Sequence, residues 1–106
     1  MWGHIFESFV FAEVLKSYYN SGVTRPPLHY YRDVDKNEID LLVADGDTLH
    51  PVEIKTTSDP QKAMVRSFDR LKNVRGITVG TGAVVCLARE RLPLAEDVWV
   101  LPVALV

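Results

Sequence analysis

The sequence predicts an α/β fold in which helices flank a mixed central sheet. Segments of helical and strand character follow one another in the order α-β-β-β-α-β-β. A hairpin, a helix and a buried strand come in succession, and this order combines antiparallel with parallel strand pairs. The 106 residues are 47% hydrophobic and 25% charged, which suits one globular domain over residues 1–106.

The first predicted element is a helix over residues 4–20, ended by the sequence Asn20-Ser21-Gly22. A helix that is apolar on most sides is either buried or in need of a partner. Its apolar residues are Ile5, Phe6, Phe9, Val10, Phe11, Val14, Leu15 and Tyr18.

Three strands should follow. Residues 28–32 have strand composition, and a turn over 33–37 separates them from a strand over 38–44. The dipeptide Asp45-Gly46 is a strong hairpin signal, and the return strand is expected at 48–57.

The second half of the sequence predicts a helix over 60–74, a buried strand over 83–88 and a further strand over 97–101. Pro93 is expected to break the chain between these two strands. Cys86 lies inside an apolar run, so we expect it to be a small buried hydrophobe.

Composition narrows the class of protein. No apolar run approaches the roughly 18 residues that span a bilayer. The N-terminus lacks the features of a secretory signal, and one cysteine excludes a disulfide framework. We therefore expect a cytoplasmic protein without a membrane partner.

The net charge of −2 is unevenly distributed. Residues 1–53 hold four Lys or Arg and nine Asp or Glu, whereas residues 54–106 hold eight and five. Acids crowded on a small domain repel one another unless they are solvated, paired or bound to a cation.

Two of these acids should meet on the hairpin. A two-residue loop at Asp45-Gly46 places Asp40 opposite Pro51 and makes Glu53 its diagonal neighbour, about 7–8 Å away. Strand alternation puts Glu38, Asp40 and Leu42 on one face. A loop of odd length would separate the two carboxylates, and the chain would then be a plain structural domain.

Glu7 falls on an apolar face of the first helix, where an ionised carboxylate needs a partner. Together with Asp40 and Glu53 it suggests a site for Mg²⁺ or Mn²⁺, which prefer carboxylate oxygens. Lys55, two residues after Glu53, could orient a nucleophile or stabilise a phosphoryl group.

The pattern Glu7…Asp40-(12 residues)-Glu53-Ile54-Lys55 resembles the PD-(D/E)XK nuclease superfamily, although Ile39 stands where the name has proline. The element order also resembles that restriction-endonuclease-like core, α-β-β-β-α-β. Three segments look more narrowly like a nuclease-like domain of unknown function found behind AAA-type ATPases. They are GHIFESFV at 3–10, YRD with EIDLL at 31–42, and PVEIKT at 51–56.

The resemblance implies that Asp40 and Glu53 hold a metal ion, that Glu7 joins them, and that Lys55 is the catalytic lysine. It implies hydrolysis of DNA phosphodiester bonds with Mg²⁺ or Mn²⁺, by one part of a longer ATPase-linked architecture. The alternative is a catalytically inactive domain that serves DNA binding, dimerisation or regulation of the ATPase. Its partner would then be a second copy of the chain or the AAA-type ATPase domain.

Other residues have competing interpretations. Lys62, Arg66 and Arg70 form an i, i+4, i+8 stripe that either contacts a phosphate backbone or is an ordinary solvated helix face. For Tyr30 and Tyr31, packing within the strand is favoured over stacking on bases.

Overall fold

The computed structural model describes the backbone of residues 2–23 and 25–105 and the side chains of residues 5–17, 19–23 and 25–104. Its elements, in chain order, are α1 (Trp2–Asn20), β1 (Leu28–Arg32), β2 (Glu38–Asp45), β3 (Thr48–Ile54), the 3₁₀ helix η1 (Lys62–Val65), α2 (Ser67–Lys72), β4 (Thr78–Val79), β5 (Gly82–Cys86), β6 (Leu92–Ala95), β7 (Val98–Pro102) and the 3₁₀ helix η2 (Val103–Leu105).

The strands form one seven-stranded sheet in the order β1-β2-β3-β5-β7-β6, with β4 paired to β3. The pairs β1/β2, β2/β3 and β6/β7 are antiparallel, and β3/β4, β3/β5 and β5/β7 are parallel. The predicted α/β class with a mixed sheet is confirmed. Every residue of β5 is buried, as its continuously apolar sequence predicts.

Two apolar clusters cover the two faces of this sheet. The first includes Phe68 and Leu71 of α2 with Val84 of β5. The second includes Val10 of α1 with Ile54 and Val85. Because neighbouring residues of a strand point to opposite faces, Val84 and Val85 assign the two clusters to opposite sides of the sheet.

The hairpin between β2 and β3 differs in register from the prediction. Asp45 pairs with Thr48, so the two-residue loop is Gly46-Asp47, and Leu42 lies opposite Pro51. The predicted position of Asp40 opposite Pro51 is therefore wrong by two residues. The physical reason is that the first loop position has φ +62°, which glycine adopts at little cost.

β2 also carries a bulge against β1. His29 pairs with Leu42 and Tyr31 with Ile39, so β2 uses one more residue than β1 over this interval. Ile39 and Leu42 consequently belong to the same core cluster. The strict alternation that we predicted along β2 is wrong at this point, because a bulge inserts a residue without a cross-strand partner.

Three further element boundaries differ from expectation. The helix predicted over 60–74 is interrupted, since η1 ends at Val65 and α2 begins at Ser67. β3 ends at Ile54, although the backbone N–H of Lys55 still donates to the carbonyl of Val85 at 3.0 Å. Pro93 lies within β6, where an edge strand accepts proline because half of its backbone groups face away from the sheet.

Candidate functional site

Asp40 and Glu53 come together where the pairing of β2 with β3 ends. The last paired residues are Leu41 and Val52, and one further step along both strands places Asp40 opposite Glu53. There the carboxylate of Asp40 accepts a hydrogen bond from the backbone N–H of Ile54, with 2.9 Å between Oδ2 and N. At the bulge, the side chain of Asp40 thus takes the place of a backbone acceptor in the β2/β3 hydrogen-bond ladder. Asp40 lies directly opposite Glu53, whereas we predicted a more distant diagonal position.

Glu53 is the one charged residue in the described core. It is only 4% exposed, and its Oε1 atom has no hydrogen-bond partner. Burial and the negative charge of Asp40 raise the pKa of Glu53 to about 7, against the lowering effects of Lys55 and of the Asp40 backbone N–H. A buried carboxylate with one unsatisfied oxygen is costly for the folded protein, so it needs a proton or a cation.

Lys55 provides a positive charge beside the buried carboxylate of Glu53. Its Nζ lies 3.5 Å from Oε2 of Glu53, and the lysine side chain is 42% exposed. Residues two apart on an extended chain share a side, and the hydrogen bond from the Lys55 N–H to Val85 keeps this stretch extended beside β5. The lysine therefore connects the buried carboxylate with the solvent.

Glu7 is not brought into a three-ligand group with these two acids. Over the described residues, no three or more His, Cys, Asp or Glu side chains gather closely enough to hold a metal ion. Helix α1 packs through Val10 against Ile54, whereas strand alternation turns Glu53 to the other face of the sheet. Glu7 as a metal ligand stays a prediction.

Glu38, which the alternation pattern placed beside Asp40, forms an ion pair with Arg32 of β1 at 3.4 Å. Both side chains are about half exposed, as expected for an acid at the start of a strand. Tyr31 packs against the first core cluster, as predicted. Tyr30 does not pack into the strand, because its side chain is 60% exposed.

The interruption between η1 and α2 separates the three basic residues of the predicted stripe. Lys62 and Arg66 line a groove of about 380 Å³ together with Lys72. Arg70 is not among the residues that line this groove. Burial and the charge of Asp33 raise the pKa of Tyr31, and the positive charge of Arg70 opposes that rise.

The groove is only partly basic, because Asp69 and Glu96 also line it and Asp69 forms an ion pair with Lys72 at 3.8 Å. Sequence reasoning missed Lys72. Its spacing of three residues from Asp69 was the available signal, since residues three apart are neighbours on a helix surface.

The fold and the acidic pair define a mixed α/β domain with a buried carboxylate at its sheet. A family model matches residues 2–106, and the chain belongs to that family, which is described as a domain of unknown function (DUF4143). No curated protein and no solved structure matches the chain. Within the described residues, no helix is both long and apolar enough to cross a membrane.

Proposed function

We propose that this domain is a metal-dependent nuclease of the PD-(D/E)XK type that hydrolyses DNA phosphodiester bonds. The observation that carries the proposal is the buried Glu53, with its unpartnered Oε1, beside Asp40 and in contact with Lys55. An acid, a second acid and a lysine in this arrangement match the Asp-Glu-x-Lys pattern to which the sequence is similar. Membership in a family of unknown function neither adds to this proposal nor opposes it.

The two carboxylates fit a divalent cation. Mg²⁺ is commonly held by one or two carboxylates and fills its other positions with water and substrate phosphate. Asp40 and Glu53 provide that number of ligands, and Oε1 of Glu53 lacks the partner that a cation would supply. We propose Mg²⁺ or Mn²⁺ as the cofactor, with Asp40 and Glu53 as its ligands and Glu7 as a supporting acid.

A divalent ion at this pair supplies Lewis-acid stabilisation of the charge that develops on a phosphoryl group. The backbone N–H of Ile54 donates a hydrogen bond to the carboxylate of Asp40. The backbone of β3 therefore fixes the position of this carboxylate. Lys55 reaches from the acid pair to the solvent, where its ammonium can orient an attacking water and stabilise phosphate oxygens. Burial of Glu53 excludes bulk water from one side of the site.

The test combines metal binding with DNA cleavage. We expect Mg²⁺ or Mn²⁺ to bind the purified chain in calorimetry and to support nicking of plasmid DNA. Asp40→Asn and Glu53→Gln should each weaken metal binding at least tenfold, because the loss of one of two carboxylates removes about half of the ligand charge. Lys55→Ala should abolish cleavage while it leaves metal binding nearly unchanged.

Asp45→Asn is the matched control for Asp40→Asn, because both residues are on β2 and Asp45 is exposed. It should leave binding and cleavage as in the parent protein. If Glu53→Gln binds the metal as tightly as the parent, the assignment of this site is wrong.

A second candidate function is a nuclease-like domain without catalytic activity that serves DNA binding, dimerisation or regulation of an AAA-type ATPase. Two observations favour it. The described acids at the sheet form a pair and not a group of three, and α1 exposes large apolar side chains, among them Ile5 and Phe9. Plasmid DNA left intact in both Mg²⁺ and Mn²⁺, with a solution mass above that of one chain, would support this function over the first.

A further inference from the structure

The groove of about 380 Å³ lies between the segment that forms η1 and α2 and the turn that joins β6 to β7. Neither Asp40 nor Glu53 lines it, and its volume is within the range at which proteins hold small ligands. The buried residues that line the groove are all apolar, namely Val65, Phe68 and Val98. A ligand in the groove would therefore meet apolar surface at its base.

The rim of the groove is charged, and part of that charge is unpaired. Lys72 is paired with Asp69, at 3.8 Å between Nζ and Oδ1. The side chains of Lys62 and Arg66 form no ion pair and no hydrogen bond within the described part of the chain. Both are on the wall that η1 and α2 form, whereas Glu96 is on the opposite wall. Lys62 and Arg66 are thus the cations that a ligand can neutralise.

The charge of the groove favours a ligand with a single negative charge. Three basic and two acidic residues line the groove, a net charge of +1, whereas the whole chain carries −2. The two acids would repel the repeated phosphates of a nucleic-acid backbone, which also offers little apolar surface to Phe68 and Val98. A carboxylate suits Arg66 better, because its two oxygens match the planar fork of a guanidinium.

A cavity of about 30 Å³ continues the groove on the side away from the two free cations. It shares Phe68 and Val98 with the groove, but Lys62 and Arg66 do not line it. A space of this size holds a water molecule or a group as small as a methyl. The apolar end of a ligand whose charged end is at the cations would point towards this cavity.

We propose that the groove binds a small carboxylic acid with an apolar body. The carboxylate pairs with Lys62 and Arg66, and the apolar body covers Phe68 and Val98. Glu96 sets the direction of the ligand, because its charge repels a carboxylate on that wall. A free carboxylic acid and the C-terminal end of a peptide share this chemistry. The site is separate from the acidic pair and does not depend on the nuclease proposal.

The experiment follows backbone amide shifts in NMR spectra of the ¹⁵N-labelled chain at pH 7 and constant ionic strength. N-acetyl-leucine should bind with a Kd of about 1 mM, as expected for a ligand of its size in an open groove. It should shift the amides of Phe68 and Val98 and leave that of Ile54 unchanged. N-acetyl-leucinamide has no carboxylate and acetate has no apolar body, so each should bind at least about fivefold more weakly.

Hexanoate represents a free acid in the same titration, and N-acetyl-leucine represents the end of a peptide. The tighter of the two identifies the source of the carboxylate. Both should compete for the same amide shifts, because the proposal assigns one site to them.

Three variants test the assigned residues. Arg66→Gln should weaken N-acetyl-leucine binding about fivefold or more, since a charge-assisted hydrogen bond is lost, and Lys62→Gln should have a smaller effect. Glu96→Gln should strengthen binding about twofold, because a repelling charge is removed. Arg75→Gln is the matched control, since Arg75 does not line the groove. All four side chains are exposed, so the variants should retain the fold.

Equal affinity for N-acetyl-leucine and its amide would overturn the proposal, as would equal effects of Arg66→Gln and Arg75→Gln. Binding of acetate or inorganic phosphate as tight as that of N-acetyl-leucine would indicate an adventitious ion only. None of these outcomes changes the test of Mg²⁺ binding at Asp40 and Glu53, so the two proposals fail separately.

Discussion

The burial of Glu53 is an electrostatic cost to the folded state of this protein. Glu53 is buried in a central strand, it lies close to Asp40, and Lys55 satisfies one of its two oxygens. In the absence of a cation, the folded protein lowers this cost by protonating Glu53, which is the meaning of a pKa near 7. Stability, and the metal binding that we propose, therefore depend on the same carboxylate and on pH.

The first prediction at this scale concerns stability in EDTA. The folded protein binds the Glu53 proton more tightly than the unfolded chain, whose glutamates titrate near 4.5. Stability from this group is therefore fully present below that value and is lost as the pH rises through about 7. Glu53→Gln removes the titration, so relative to the parent it should gain about 2–3 kcal/mol between pH 5 and pH 8.

Urea unfolding of both proteins at each pH measures this difference. Glu90→Gln, at an exposed glutamate, serves as the control and should follow the parent at both values. A constant difference between Glu53→Gln and the parent across this pH range would show that Glu53 is ionised throughout.

At the residue scale, the spacing of Asp40, Glu53 and Lys55 was enough to predict that the three residues lie close together, as they do. Parity explains this outcome for the hairpin, because a register error of two residues between β2 and β3 does not by itself move a side chain to the other face. The bulge at Asp40–Leu41 was not predictable, since nothing in the sequence there shows that one more residue is used on β2 than on β1. The hydrogen bond from Ile54 to Asp40, which results from that geometry, was therefore not predictable either.

At the scale of elements, the strands were easier to predict than the second helix. β5 has a continuous apolar sequence, and its burial on both faces follows directly from that pattern. The region from Lys62 to Lys72 has a helical pattern, yet it forms a 3₁₀ turn followed by a short α-helix. A change from about 3 to 3.6 residues per turn rotates the later side chains, which is why Arg70 leaves the groove that Lys62 and Arg66 line.

A second prediction concerns the packing of α2 on the sheet at Gly82. A Cβ atom added there would lie 2.8 Å from Cε2 of Phe68 and 3.0 Å from the carbonyl oxygen of Pro51. Neither neighbour can easily move aside, because Phe68 is packed in the core and the Pro51 carbonyl belongs to the backbone of β3. Gly82→Ala should therefore lower the free energy of unfolding by about 1–3 kcal/mol in urea titrations.

Gly46→Asn is the comparison for Gly82→Ala. A Cβ at Gly46 meets no atom within 4 Å, and asparagine accepts the φ of +62° better than other residues with a side chain. Its effect should stay below about 1 kcal/mol. If the two variants were equally stable, close packing at Gly82 would not be the cause of the loss.

At the scale of the whole molecule, the two faces of the sheet carry apolar clusters of unequal size. The larger cluster lies under η1 and α2, and the smaller one lies under α1. Apolar density predicted that α1 would be buried or in need of a partner, and the structure shows a buried side and an exposed apolar side of the helix. Val10 is fully buried, whereas Phe9 next to it is 54% exposed.

The third prediction follows from this uneven coverage. If α1 contacts a second copy of the chain, Phe9→Ser should shift the mass distribution towards the single chain in sedimentation at increasing concentration. The exposed position of Phe9 means that the substitution should leave the unfolding transition nearly unchanged. An unaltered mass distribution would show that Phe9 does not contribute to a contact between copies of the chain.

The interior position of β7 has a consequence for the order of events during synthesis. β7 pairs with β5 on one side and with β6 on the other, so residues 98–102 complete the middle of the sheet and not its edge. A ribosome must release these residues before β5 gains its second neighbour, and until then β5 presents an apolar, unpaired margin. The nascent domain is therefore exposed to misassociation between the emergence of β5 and that of β7.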